Sequence, residues 1–157
     1  MAEGGTVNNI VLFGLDGDSV RLNQKLSTTP KLVYYFSSNG CPGCFEPVLF
    51  RLDSLGKKIG YENIIILAKF SNTRGLKVYW EDKPQQIPIY RVSENPGLFY
   101  SNLDYEYAYS FLLSNNGIAR KFIVTDKSNT LFIENYFGLI FEYFQNIKFP
   151  IHQKTAL

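Results

Sequence analysis

Residues 31–36, KLVYYF, form one unbroken apolar run, and by Phe45 the apolar spacing has changed period. From there Phe45, Val48, Leu49, Leu52, Leu55 and Ile59 recur at helical intervals, until Gly60 stops the pattern. A strand like KLVYYF is apolar on both faces, which suits only the middle of a sheet covered on both sides. A buried strand feeding an amphipathic helix is the building unit of layered α/β folds. This junction constrains the fold more than any other segment. The junction itself reads SSNGCPGC and holds both cysteines of the 157-residue chain, Cys41 and Cys44.

The remaining segments agree with that class. Residues 9–22, NIVLFGLDGDSVRL, are two short apolar runs around an Asp-Gly turn, which predicts a hairpin. ENIIILAKF at 62–70 and IPIYRV at 87–92 read as strands, with a short helix over 73–83 ended by Pro84. A further helix is expected over 98–106, after Pro96-Gly97. YSFLLS and IARKFIVTD flank Asn115-Asn116-Gly117, an antiparallel hairpin signal, and Ser128 is placed to cap a helix running to about 145. The whole is expected to be one domain over residues 1–157, with a core from about 8 to 146 and a tail from 147.

Composition enters as a filter. Sixteen basic and 14 acidic residues are spread along the chain without a basic run, which argues against nucleic acid as a partner. Apolar runs such as 64–68 are far too short to span a bilayer. The start, MAEGGTVNN, has no basic segment leading into an apolar one, so no signal peptide is expected in it.

Three readings of the CxxC pair compete: a redox couple, half of a metal site, and a small structural disulfide. At helix positions i and i+3 the two sulfurs meet on one face. The first turn of a helix offers unpaired N–H groups and the positive end of the dipole, so a thiolate at Cys41 would be stabilised by the amides of Gly43 and Cys44. Pro42 fits the first helical position, where its missing N–H costs nothing. In the redox reading Cys41 is the nucleophile and Cys44 the resolving thiol. A metal would need about four ligands, and only His152, in the tail, adds an imidazole. A structural disulfide closing so small a loop would stabilise the chain only modestly.

With these residues in view, the chain resembles the TlpA-like thiol–disulfide oxidoreductases of the thioredoxin fold. KLVYYFSSNGCPGC resembles their strand-to-redox-helix passage, NIVLFGLDGDSVRL their opening hairpin, IIILAKF the next central strand, and SFLLSNNGIA a later hairpin. The resemblance implies an α/β three-layer fold, with a mixed central sheet, an N-terminal hairpin and helices on both faces. It implies a protein thiol or disulfide as partner, a monomer, no bound cofactor or metal, and an extracytoplasmic compartment, with the cytoplasm as the alternative. Lys69 matches a lysine found near the site in thioredoxins.

The chain also departs from the family. A cis-proline opposite the CxxC docks substrate backbone there. Counting back from Gly117 puts Ala108 at that position, with Tyr109 beside it, whereas a shorter register would use Pro88. The buried acid of thioredoxins is replaced by Tyr35, leaving Glu46 as a candidate proton acceptor for Cys44 or simply a first-turn acid. Gly40 stands where a tryptophan usually precedes the motif, Trp80 is expected to pack on the sheet, and Pro47 should kink the helix near Gly43. Two functions follow as expectations: thiol–disulfide exchange, or a binding domain whose disulfide is not turned over. A peroxiredoxin-type peroxidase would need a PxxxTxxC context that is missing.

Overall fold

The computed structural model describes residues 5–97 and 107–148. The helix expected over 98–106 and the histidine of the tail lie outside them. In chain order the elements are β1 (Gly5–Thr6), β2 (Val11–Phe13), β3 (Ser19–Arg21), β4 (Lys31–Ser37), α1 (Pro42–Ile59), β5 (Ile64–Lys69), α2 (Thr73–Trp80), β6 (Ile89–Val92), β7 (Ala108–Leu113), β8 (Ile118–Thr125) and α3 (Thr130–Lys148). They build one sheet in the order β1-β8-β7-β4-β5-β6-β2-β3. β4, β5 and β6 run parallel, while β7 and the β2–β3 hairpin lie antiparallel to their neighbours. The run KLVYYF is therefore central, as its double apolarity demands. The two-residue β1, paired with Ala119 and Ile118, had no signal in the sequence.

Alternate residues of β4 feed two separate cores. Leu32, Tyr34 and Phe36 face α1, α2 and α3, packing with Phe45, Leu49, Leu76, Trp80, Ile140 and Phe144. Val33 and Tyr35 face the other way, against Val7, Leu12 and Leu22 and alongside Tyr109 and Phe111. Among the described residues no α-helix contributes to that second core. The period-two alternation of strands makes this partition unavoidable once β4 is central.

Two details of β8 and α3 decide the chemistry below. Ser110 pairs with Ile123 but Leu112 pairs with Arg120, so β8 carries an extra residue in a bulge, with Lys121 at φ 53°. The bulge reverses the facing of the strand beyond it. Thr125, opposite Ala108, thereby turns toward the α1 side. The cap of the last helical segment is Asp126, not Ser128. The Asp126 carboxylate accepts the Ser128 N–H at 3.2 Å, and the Asp126 N–H donates to the Asn129 side chain at 2.9 Å. This reciprocal pair starts a 3-10 turn over Lys127–Asn129 that runs into α3. Helix α1 continues through Pro47.

Candidate functional site

The CPGC turn is held from below before its own chemistry begins. β4 ends at Ser37, and the following backbone is tied down: Ser38 N–H donates to the Lys69 carbonyl at 3.0 Å, and Gly40 N–H to the Ser37 carbonyl at 2.9 Å. Cys41 then caps α1 in an extended conformation (φ −90°, ψ 105°), and Pro42 takes the first helical position. Beneath the turn Phe45 is buried and stacks on Phe36 at 4.5 Å between ring centroids, with Tyr79 at 6.4 Å in edge contact. Such aromatic packing fixes the start of the helix against the sheet.

Cys41 and Cys44 form a disulfide across this turn, with Cα atoms 5.2 Å apart, and both are half-buried. The Cys44 N–H donates to the Cys41 carbonyl at 2.9 Å. The Gly43 amide is left as the first-turn N–H with no acceptor among the described residues.

Beside the disulfide lies a cleft of about 130 Å³, lined by Cys41, Cys44, Phe45, Tyr107, Ala108, Thr125 and Asp126. Its floor is polar but satisfied. The Tyr34 hydroxyl, fully buried, lies 2.8 Å from the Thr125 hydroxyl, which lies 3.3 Å from the Ala108 carbonyl. Burial pushes the Tyr34 phenol well above its ordinary range, so it stays neutral and able to donate. At the rim, Lys127 lies directly over Gly43: a Cβ placed on that glycine would meet the lysine Cε at 2.6 Å and its Nζ at 3.0 Å.

The residues singled out from the sequence meet different fates. Ala108 lines the cleft in a trans peptide, and no cis peptide bond occurs among the described residues. Pro88 is elsewhere, its carbonyl accepting the Ile66 N–H at the β5–β6 pair. Tyr109 and Tyr35 do not face the sulfurs. Their rings pack against each other, tilted, at 5.0 Å in the opposite core, because each is one residue out of phase with the cleft-facing set. Tyr34, on the α1 side of β4, reaches the cleft through the Thr125 hydroxyl. Glu46 is turned toward α2, where it accepts from the Tyr79 hydroxyl at 2.8 Å and lies 3.7 Å from the Lys83 ammonium. The Lys69 backbone supports the turn, while its side chain is not among those lining the cleft. Trp80 is buried in the core on the α1 side.

Thr125, Asp126 and Lys127 carried no sequence signal as site residues, since nothing local announces a bulge four residues upstream. Among the described residues no cluster of three or more His, Cys, Asp or Glu side chains forms a metal site. Nor is any described helix long and apolar enough to cross a membrane.

Solved structures share this architecture. The thioredoxin domain of a thiol-disulfide oxidoreductase from Bacteroides vulgatus superposes with a TM-score of 0.59 at 17% identity, over 87% of this chain and 98% of that one. A thiol:disulfide interchange protein from Bacteroides sp. gives 0.56 at 18% identity, over 76% of this chain and 79% of that one. BsSco, a member of the Sco family of cytochrome c oxidase assembly proteins in which a disulfide switch was identified, gives 0.60 at 16% identity, over 91% and 93%. No protein-family model and no curated protein sequence matches the chain. At these identities the likeness establishes the fold: the chain is thioredoxin-like, with its cysteine pair joined at the start of the first helix.

Proposed function

We propose that the protein exchanges electrons with a protein dithiol or disulfide through Cys41 and Cys44. The observation that carries this reading is the Cys41–Cys44 disulfide at the first turn of α1, opening on a cleft where a partner segment can approach. In the reducing direction the Cys41 thiolate attacks one sulfur of a partner disulfide. A mixed disulfide forms and the other partner sulfur leaves as a thiolate. Cys44, on losing its proton, attacks Cys41, closing the internal disulfide and releasing the second partner thiolate. Two electrons and two protons pass from this dithiol to the partner disulfide. A second protein dithiol restores the pair by the same steps in reverse. An oxidising, extracytoplasmic compartment suits a chain whose cysteines are joined.

The second reading, a binding domain whose disulfide is not turned over, draws on one observation. Ala108 stands in trans where the resemblance implies a cis-proline that docks substrate backbone. A Cys44→Ser variant decides between the readings: it is expected to retain the partner as a mixed disulfide on Cys41 that dithiothreitol releases. Wild type is expected to reduce a generic protein disulfide slowly, and Ala108→Pro to do so faster. If neither reacts while Cys41 remains open to alkylation, the exchange reading fails and the binding reading stands.

A further inference from the structure

Lys127 has no part in the reading above, yet it occupies the space over Gly43, one of the two residues between the cysteines. Its side chain rests against Gly43 so closely that a methyl group there would displace it. It has no ion-pair partner among the described residues. An ammonium at the N-terminal end of a helix is repelled by the dipole, so this placement is unfavourable unless negative charge develops nearby. A disulfide is neutral. A Cys41 thiolate is not.

We propose that Lys127 is a positioning cation that lowers the pKa of the Cys41 thiol and favours the reduced form of the pair. The inference rests on the exchange reading and deepens it. Among the described residues, the charged and titratable groups around the sulfurs leave this role to Lys127. Asp126, from the same turn, lines the cleft and opposes thiolate formation. Glu46, on α1, is engaged by Tyr79 and Lys83. Tyr34 from β4 is neutral, and Tyr107, preceding β7, brings a phenol to the cleft rather than a cation. The glycine of CPGC gains a specific reason as well: it leaves room for the lysine.

The test is titration of the single thiol in a Cys44→Ala background, followed by thiolate absorbance. Lys127→Met is expected to raise the Cys41 pKa by about half to one unit at low ionic strength, the scale for an exposed opposite charge close to a thiolate. Lys127→Arg should move it by less than half as much. About 1 M salt should erase most of the difference, because the ammonium is exposed. Gly43→Ala should shift the pKa in the same direction and add nothing once Lys127 is Met. With both cysteines present, Lys127→Met should tilt the equilibrium with glutathione toward the disulfide. An unmoved pKa in Lys127→Met, or a shift of equal size at high salt, overturns the inference. The titration needs no partner protein. Failure of exchange therefore leaves it standing, and an unmoved pKa in a protein that exchanges normally refutes Lys127 alone.

Discussion

Replacing Thr125 by valine tests the floor of the cleft. The two side chains have nearly the same shape, so no cavity opens, and the effect isolates hydrogen bonding. Thr125 and Tyr34 are buried, and their hydroxyls lie 2.8 Å apart. Thr125→Val leaves the Tyr34 hydroxyl without that partner, at a cost of about 1–3 kcal/mol for an unsatisfied buried group. Tyr34→Phe removes the other half. The Thr125 hydroxyl then still donates to the Ala108 carbonyl, so the cost falls to about 0.5–1.5 kcal/mol. The double variant loses both partners and should cost less than the sum, with a coupling on the order of 1 kcal/mol. Urea unfolding of the oxidised protein reads these values as shifts in midpoint at constant slope. A loss of about 2 kcal/mol would also lower Tm by roughly 4–8 °C. If Thr125→Val unfolds within about 0.5 kcal/mol of wild type and the cycle is additive, the hydrogen bond contributes nothing, and the account of a satisfied floor is wrong.

Tyr34 also sets an alkaline limit. Burial raises its folded pKa above the unfolded value near 10, so above that pH the unfolded chain loses a proton that the folded chain keeps, and stability falls. Between about pH 9 and 11 the wild-type stability should drop more steeply than that of Tyr34→Phe, approaching about 1.4 kcal/mol per pH unit of difference at the upper end; parallel slopes would refute this. For Glu46→Gln, the Tyr79 hydroxyl keeps an amide oxygen to bond and Lys83 keeps Asp82 at 2.7 Å. Stability should fall by only about 0.5–1 kcal/mol. The rate at which Cys44 resolves a mixed disulfide on Cys41 should stay within about twofold; a tenfold fall would make Glu46 the proton acceptor.

What the sequence determined by itself is what depends on local period and on side-chain type. The unbroken KLVYYF run requires a central strand, and the spacing from Phe45 to Ile59 requires a helix on it. Pro42 and the two cysteines place the pair at that helix's first turn, where the structure joins them. The family register, counted back from the Asn-Asn-Gly turn, implied Ala108 rather than Pro88 opposite the pair, and Ala108 lines the cleft. The tertiary structure decided what depends on parity and on long-range approach. Whether Tyr34 or Tyr35 faces the helix that carries the disulfide turns on a one-residue phase, which a run apolar at every position does not encode. Thr125 reaches the cleft only because the bulge at Lys121 reverses the facing of β8. Lys127 comes to Gly43 across 84 positions of sequence, brought there when Asp126 caps the turn that follows β8. No window of the sequence spans that distance; the folded sheet does.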